Sequence, residues 1–219
     1  MTSRTATRRK ANDNERTQRK GENTRAAILT SAASLFAENG YDRTGMVAIA
    51  DAVGISAPAL YYHFASKEEI LYCHLEQAMT EITTALRDAV DGAGPAHADR
   101  LAAFVRTHVA CEIGRIGIMP LLDDAMYGTE VLMRAIDPEQ RETITALQRD
   151  FVDTLRNVLR EGRKAGEFEI PDVTATAFAI IGMTDHVVNW FRPGNKLTPP
   201  ELGEIHAELA LKMVGVCEG

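Results

Sequence analysis

Residues 44–67 read TGMVAIADAVGISAPALYYHFASK, and this stretch decides the fold. Apolar residues recur at helical spacing on both sides of Gly54, a residue that permits a sharp turn. Thr44 is expected to cap the first short helix and Ser56 the second, whose first turn tolerates Pro58. The second helix ends in a compact aromatic group, although aromatic residues make up only 6% of the chain. Two short helices joined by a tight turn predict a helix-turn-helix.

The flanking sequence predicts an all-α protein of about nine helices, because helical spacing recurs and no long alternating strand pattern appears. The first helix is expected over about 23–39. The third helix ends near His63, and a capping box of Ser66 and Glu69 opens a long helix to about Val90. The remaining helices are expected over about 96–113, 121–127, 138–165 and 172–192, with a last helix capped by Thr198.

Several classes of protein are excluded by composition. No apolar run is long enough to span a membrane, and the basic N-terminus lacks the apolar segment of a secretory signal. The three cysteines, Cys73, Cys111 and Cys217, lie far apart and show neither a disulfide framework nor a metal-binding spacing. We therefore expect a cytoplasmic protein with no membrane contact, no metal and no cofactor.

Charge is distributed unevenly along the chain, whose formal net charge is −7. Residues 1–67 carry ten Lys or Arg and six Asp or Glu, whereas residues 68–219 carry fourteen and twenty-five. A basic front end on an acidic body can dock one surface on phosphate. A basic disordered tail on an ordinary acidic protein would show the same asymmetry.

The second helix of the motif has the features of a helix that enters a DNA major groove, which is about 12 Å wide. Small residues at its start, 57–59, would let the backbone approach base edges. Tyr61, Tyr62 and His63 can donate hydrogen bonds to phosphates, and Lys67 can reach another phosphate. Phe64 is expected to turn inward. Each of these residues alone is more simply a packing residue or a cap, so the interpretation depends on the whole set and its spacing.

A set of residues at fixed spacing surrounds the turn. It consists of Ile28-Leu29, Ala32-Ala33, Leu35-Phe36, Gly40-Tyr41, Thr44, Ile49-Ala50, Val53-Gly54-Ile55-Ser56, Leu60-Tyr61-Tyr62-His63-Phe64, Ser66-Lys67-Glu68 and Leu71. With this set, the segment from about 22 to 82 resembles the DNA-binding domain of the tetracycline-repressor (TetR) family of bacterial regulators. The resemblance implies phosphate contacts from Thr44 and base contacts from 57–59. The DNA-contacting residues it implies are, in full, Thr44, Ser56, Ala57, Pro58, Ala59, Tyr61, Tyr62, His63 and Lys67.

The sequence departs from the family pattern at two places. Gly45 stands where a hydroxyl residue is frequent, and Pro58 and Ala59 replace a small residue followed by a hydroxyl residue. Apolar Ala57 and Ala59 can contact thymine methyl groups but cannot donate hydrogen bonds. The Arg-rich segment 4–20 either compensates by reaching along a minor groove or is a solvated arm.

The resemblance also implies a domain organisation. We expect a basic disordered tail over 1–21, a DNA-binding domain over 22–82 with its motif at about 45–64, and an effector-binding and dimerisation domain over 83–219. The candidate effector-contacting residues are Phe104, His108, Cys111, Arg115, Met119, Met126, Phe151, Phe178, Met183, His186 and Trp190. The residues expected at a two-fold four-helix dimer interface are Ile180, Val187, Phe191, Leu202, Ile205, Leu209, Met213 and Val216.

His108 and Arg115 are unusual because they lie on the apolar stripe of the fifth helix, where polar groups need partners. For His108, a hydrogen-bonded core histidine and an effector contact both remain open. The stretch 189–198 resembles the end of the eighth helix in TetR-type regulators of fatty-acid or sterol breakdown, which respond to acyl-CoA thioesters. Ile181 and Asp185 stand where such regulators use basic or aromatic residues to hold the CoA.

Together these features favour a homodimeric repressor that binds a palindromic double-stranded operator and is released by an apolar or acyl-type effector, with acyl-CoA among the candidates. An effector-independent architectural DNA binder would share the motif but have a fully packed second domain. A helical enzyme is the third class, with polar candidates His108, Glu112, Asp123, Asp124 and His186. No metal motif, nucleophile elbow or phosphate loop accompanies those residues, so we expect no enzyme.

Overall fold

The computed structural model describes residues 3–114, 131–192, 194 and 196–215, with side chains from residue 19 onward apart from those of 131 and 132. These residues form ten helices and no strand, which confirms the all-α class. The helices are α1 (Ser3–Asn39), α2 (Met46–Val53), α3 (Ala57–His63), α4 (Lys67–Gly92), α5 (His97–Gly114), α6 (Val131–Ala135), α7 (Pro138–Ala165), α8 (Val173–Asp185), α9 (Val187–Trp190) and α10 (Pro199–Met213). The helix predicted over 121–127 lies outside the described residues.

The chain divides into two compact units, Met1–His74 and Leu75–Gly219. The division falls inside α4, earlier than the expected boundary between residues 82 and 83. Because α4 continues through the division as one helix, no loop or composition change marks it in the sequence.

The first unit is built on apolar side chains from α1, α2, α3 and the start of α4. Ile28, Ile49 and Leu60 are completely buried, and Phe36 and Phe64 nearly so. Each such side chain stabilises the fold by about 1.5–3 kcal/mol relative to an exposed one. Gly54 ends α2 in the left-handed region at φ 74°, and its N–H is bonded to carbonyls of the last turn of α2. The predicted turn between α2 and α3 is therefore confirmed.

Two expectations for the first unit differ from the structure. The segment 1–21, expected to be disordered, is helical from Ser3 on, because Arg, Lys, Ala, Glu and Gln favour helix and no proline interrupts it. A helix about 10–12 Å across does not enter a minor groove about 6 Å wide, so this backbone is unsuited to the minor-groove arm. The cap of α2 is Gly45 instead of Thr44.

The ends of the long helices in the second unit follow their predicted signals. Asp137 and Gln140 form a reciprocal capping box at α7, with Pro138 in the first turn. Thr198 and Glu201 form the same arrangement at α10. Gly166 ends α7 at φ 77°, as a glycine in the left-handed region commonly does.

The helix expected over 172–192 is split into α8 and α9, with the break at His186. β-branched Thr184, Val187 and Val188 surround the break, and such residues lose side-chain freedom in a helix. Within the second unit, α5 packs on α7, α8, α9 and α10, so it lies at the centre of this unit.

Gly162→Ala is expected to destabilise the second unit by about 1–3 kcal/mol, because overpacking a core forces neighbours to shift. A Cβ at Gly162 would overlap the ring of Phe168, which is 4% exposed and has no room to move. Urea denaturation measures the change. Gly21→Ala is the control, since a Cβ in that part of α1 meets nothing within 4 Å. It should be neutral or stabilising by up to about 1 kcal/mol, and equal effects of the two substitutions would contradict the packing argument.

Candidate functional site

The outer surface of α3 carries two tyrosines that project into solvent. Tyr62 is 87% exposed and Tyr61 is 54% exposed, whereas Leu60 and Phe64 are buried beneath them. The ring of Tyr62 meets His63 edge-on with 5.4 Å between ring centroids. Two exposed aromatic rings leave apolar surface in contact with water and add little to the packing of the unit. This surface is therefore available for a partner. Phe64 turns inward, as predicted.

The beginning of α3 presents small side chains. The Ser56 hydroxyl accepts a hydrogen bond from the Ala59 N–H at 3.3 Å, so Ser56 is the predicted cap. Pro58 is exposed, and Ala57 and Ala59 are half-buried. Nothing bulky therefore shields the start of this helix from a close approach by base edges.

Thr44 does not offer its hydroxyl to a phosphate in this structure. Its side chain is 3% exposed and donates to the carbonyls of Gly40 at 2.9 Å and Leu35 at 3.2 Å. The hydroxyl thus satisfies carbonyls at the end of α1, which is a structural role. Gly45 takes the predicted cap position, and the phosphate contact of Thr44 stays a prediction that would require its hydroxyl to leave these carbonyls.

Lys67 also has a different role from the predicted phosphate contact. Its Nζ donates to the carbonyl oxygens of Tyr41 at 3.0 Å and of Asp42 and Thr44 at 3.4 Å each. It lies 4.2 Å from the centroid of the Tyr41 ring, within the range of a cation–π contact. An ammonium group has three N–H donors, and these three carbonyls account for all of them. Lys67 therefore ties the α1–α2 loop to the start of α4.

A second contact holds the same loop. The Tyr41 hydroxyl donates to Glu68 Oε1 at 3.0 Å. Burial, and then this bond to a carboxylate, raise the pKa of Tyr41. Burial alone would raise the pKa of Glu68, but hydrogen bonds from its own N–H, Ser66 and Tyr41 outweigh it and lower that pKa. The pKa of Glu68 is lower in the folded protein than in the unfolded chain, so the ionised carboxylate stabilises the fold. That stabilisation is fully present above the ordinary carboxyl pKa and is lost as the pH falls through the lowered pKa of the folded state.

Sequence reasoning missed two residues beside the α3 surface. Arg43 is an exposed cation in the α1–α2 loop, and its Nε donates to the Asn39 carbonyl at 2.6 Å. Val47, in the first turn of α2, is 62% exposed. Gly45 gives α2 no side-chain cap, so the N–H groups of this helix start keep the capacity to bind phosphate. The sequence feature that could have indicated Arg43 is its positive charge immediately before the helix-turn-helix.

Lys67→Met is expected to destabilise the first unit by about 2 kcal/mol, because hydrogen bonds to a charged group contribute roughly 1.5–3 kcal/mol. The salt dependence of DNA binding should remain unchanged, since no phosphate contact is removed. Arg43→Ala should instead reduce the salt slope by about one per site. Chemical denaturation measures the stability change, and salt titration of DNA binding measures the salt slope. A smaller salt slope for Lys67→Met would mean that Lys67 contacts a phosphate after all.

Three predicted effector residues come together in the second unit. Phe104, His108 and Phe151 are buried, with ring centroids 6.1 Å apart for the two phenylalanines and 5.1 Å for His108 and Phe151. Cys111 and Met183 are half-buried. His186 is exposed and does not join this cluster. Arg115, Met119 and Met126 lie outside the described residues.

His108 has polar neighbours that resolve the question of its partner. Its Nδ1 lies 2.8 Å from Thr184 Oγ1. Its Nε2 lies 3.4 Å from Glu112 Oε1 and 3.5 Å from Asp185 Oδ1. His108 is thus a hydrogen-bonded core histidine next to two carboxylates.

The predicted dimer residues fall into two groups. Ile180, Val187, Phe191 and Leu202 are buried within the second unit itself, so they cannot form the interface that was predicted for them. Ile205, Leu209 and Met213 are large, apolar and exposed on α10. Phe178 and Trp190, predicted to contact an effector, are instead 46% exposed. Val216 lies outside the described residues.

We call the large exposed apolar side chains of the second unit the apolar face, which consists of Phe178, Trp190, Ile205, Leu209 and Met213. Large exposed apolar side chains that are grouped on a few helices indicate an interaction surface. The sequence showed apolar stripes on the last helices but not which stripe faces inward. Among the described residues, no helix is both long enough and apolar enough to cross a membrane.

The first unit is a helix-turn-helix DNA-binding domain, and the second is a helical body with buried polar and aromatic groups. Residues 28–72 match the family described as bacterial regulatory proteins of the tetR family. Residues 94–214 match the family described as tetracyclin repressor-like, C-terminal domain. The chain belongs to the TetR family of transcriptional regulators.

Relatives and solved structures agree with this assignment. The HTH-type transcriptional repressor KstR2 of Rhodococcus jostii is 28% identical over 188 residues, which are 85% of this chain and 89% of KstR2. The structure of the ketosteroid transcriptional regulator KstR2 of Mycobacterium tuberculosis has a TM-score of 0.75 at 26% identity, with 89% of this chain and 95% of that one covered. AibR, solved with isovaleryl coenzyme A and operator DNA, has a TM-score of 0.71 at 25% identity, with 87% and 97% covered.

Proposed function

We propose that this protein is a cytoplasmic homodimeric repressor that leaves a palindromic operator when a small apolar or acyl-type effector binds its second unit. The observation that carries the proposal is the exposed tyrosine pair of α3 next to a helix start made of small residues. The relatives support it, since KstR2 is a transcriptional repressor and AibR was solved with isovaleryl coenzyme A and operator DNA.

DNA binding follows from the chemistry of α3. The Tyr61 and Tyr62 hydroxyls donate to phosphate oxygens and fix the register of the helix, while the small residues 57–59 face base edges. Arg43 adds a cation beside them. With few hydrogen-bond donors at the helix start, contacts with thymine methyl groups and DNA shape carry much of the sequence preference.

Dimerisation is assigned to the apolar face. In a two-fold dimer the same patch on both copies is self-complementary, so five apolar side chains per chain become buried at once. A dimer can then place two α3 helices about 34–36 Å apart, one DNA turn, which explains a palindromic site. Light scattering after gel filtration tests this step, and twice the 24.0 kDa chain mass is expected.

The effector is assigned to the region of Phe104 and Phe151. Their rings supply an apolar surface for an acyl chain or a sterol-like skeleton. The effector needs only to bind the released state better than the DNA-bound state, since differential affinity shifts the population. α4 carries residues of both units and is a continuous helix through which such a shift can act.

Release of a selected operator by a ligand panel tests the effector proposal. Short-chain acyl-CoA, long-chain acyl-CoA, free fatty acid, a steroid and CoA alone are each titrated into the complex, with DNA anisotropy as the readout. One apolar or acylated ligand should release the DNA, and CoA alone should not. If no ligand acts and denatured protein yields no bound small molecule, the protein is an effector-independent DNA binder.

A further inference from the structure

We propose that His108, Glu112 and Asp185 bind a divalent transition-metal ion between α5 and α8. One ligand atom from each residue, the Nε2 of His108 and a carboxylate oxygen of the other two, lies within 4.8 Å of the others. His108 and Glu112 are each 2% exposed, so two of the three proposed ligands are buried in the core of the second unit. The site adjoins the proposed effector region, since the His108 and Phe151 ring centroids are 5.1 Å apart, but metal binding itself needs no effector.

The contacts of His108 suit the tautomer that binds a metal ion. Its Nδ1 lies 2.8 Å from Thr184 Oγ1, and that hydroxyl also lies 2.8 Å from the Ile181 carbonyl oxygen. With the proton on Nδ1 and its bond donated to Thr184, Nε2 would direct a lone pair toward the carboxylates of Glu112 and Asp185, and a cation between them would satisfy all three groups.

Glu112 provides a second, separate reason for a cation. Its Oε2 is buried and has no hydrogen-bond partner within the part of the chain that the structure describes. A buried carboxylate without compensation costs several kcal/mol, and buried charges in proteins are paired or coordinate metals. An ion held by Glu112 would neutralise this carboxylate. A proton on the Nε2 of His108, donated toward the two carboxylates, is the competing arrangement, and it would leave Oε2 without a partner among the described residues.

The spacing suits a metal ion. Zinc binds imidazole and carboxylate ligands at about 2.0–2.2 Å in a tetrahedron, which sets neighbouring ligand atoms about 3.4 Å apart. The observed separations from His108 Nε2 are 3.4 Å and 3.5 Å. Thr184 would then accept the hydrogen bond from the other ring nitrogen of His108, as a neighbour of a metal-bound histidine usually does. One imidazole and two carboxylates suit zinc, manganese, iron, cobalt and nickel, and three protein ligands leave a coordination position for an oxygen ligand.

His97 provides an internal comparison. It also has two carboxylates nearby, with Glu167 Oε1 at 2.8 Å from Nδ1 and Glu161 Oε2 at 3.9 Å from Nε2. The two carboxylates approach different ring nitrogens, so they cannot share one ion with His97. Both glutamates are also exposed to solvent. A histidine near two carboxylates is therefore not by itself a metal site. At His108, unlike at His97, both carboxylates approach the same ring nitrogen.

Metal titration of the full-length protein tests the proposal. After chelator treatment and dialysis, Zn²⁺, Mn²⁺, Co²⁺ and Ni²⁺ are added singly and followed by calorimetry and thermal melting. One equivalent per chain is expected for at least one metal, with visible Co²⁺ absorption bands typical of a site with few ligands. Glu112→Gln and Asp185→Asn should each weaken binding at least about tenfold, and Thr184→Val about 10–100-fold.

The control is Glu167→Gln, which alters the His97 pair and should leave the stoichiometry and affinity unchanged. If the buried Glu112 variant fails to fold, the Asp185 variant decides, because Asp185 is partly exposed. No saturable binding of any of the four metals overturns the proposal and leaves His108 with a proton on Nε2. Equal binding by wild type and the folded ligand variants overturns it as well.

Discussion

Tyr62→Ala is expected to weaken operator binding at least about a hundredfold while the first unit stays folded. The Tyr62 side chain is 87% exposed and, among the aromatic groups of the described residues, its ring meets only His63, so little packing is lost. A hydrogen bond to a charged group contributes roughly 1.5 kcal/mol or more. A dimer makes this contact twice, and about 3 kcal/mol is about a hundredfold in affinity. DNA anisotropy at fixed salt measures it.

Two further variants sharpen the Tyr62 experiment. Tyr62→Phe keeps the ring and loses the hydroxyl, so it should show most of the loss if the phenol binds phosphate. Thr30→Ala is the matched control, because Thr30 is exposed and its hydroxyl bonds only the carbonyl of Ala26 in its own helix. Wild-type affinity in a folded Tyr62→Ala protein would mean that α3 is not the recognition helix.

Leu209→Asp is expected to convert the dimer into a folded monomer and to lower operator affinity by about 10²–10⁴. Leu209 lies between Ile205 and Met213 along α10, four residues from each, and is 43% exposed in the single chain. A carboxylate there would be buried without a partner on both sides of the two-fold axis, which costs several kcal/mol. Each half-site would then be bound singly, and the gain from linked binding would be lost.

Glu208→Lys is the control for Leu209→Asp. Glu208 is the preceding residue of α10, it is exposed, and it also changes charge when substituted. It should leave the dimer intact. Light scattering and DNA anisotropy report mass and affinity for both variants. A dimer that persists in the Leu209 variant would assign the interface to another surface.

The elements set by local chemistry were predictable from the sequence. Gly54, Ser56 and the capping boxes of Asp137 and Thr198 act within one turn of chain, so their residue types indicate their conformation. The family motif added the order of the first four helices and the exposed tyrosines.

Roles that depend on tertiary packing were not predictable in the same way. Lys67 is basic and next to the motif, but its ammonium group is used by loop carbonyls that only the fold brings near. The apolar stripes of the last helices likewise give no sign of which one is buried. Asp185 lies far along the chain from His108, so the expectation of no metal site, which was based on spacing, did not test this cluster.

Selection of bound duplexes from random DNA tests the central claim most directly, that this protein is a dimeric operator-binding regulator. The purified protein is denatured and refolded beforehand to remove any bound effector, and its folding is checked by circular dichroism. We expect an enriched palindrome, bound by two chains, with affinity that falls steeply as salt rises and is lost in Tyr62→Ala. Folded, ligand-free protein that enriches no sequence would contradict it.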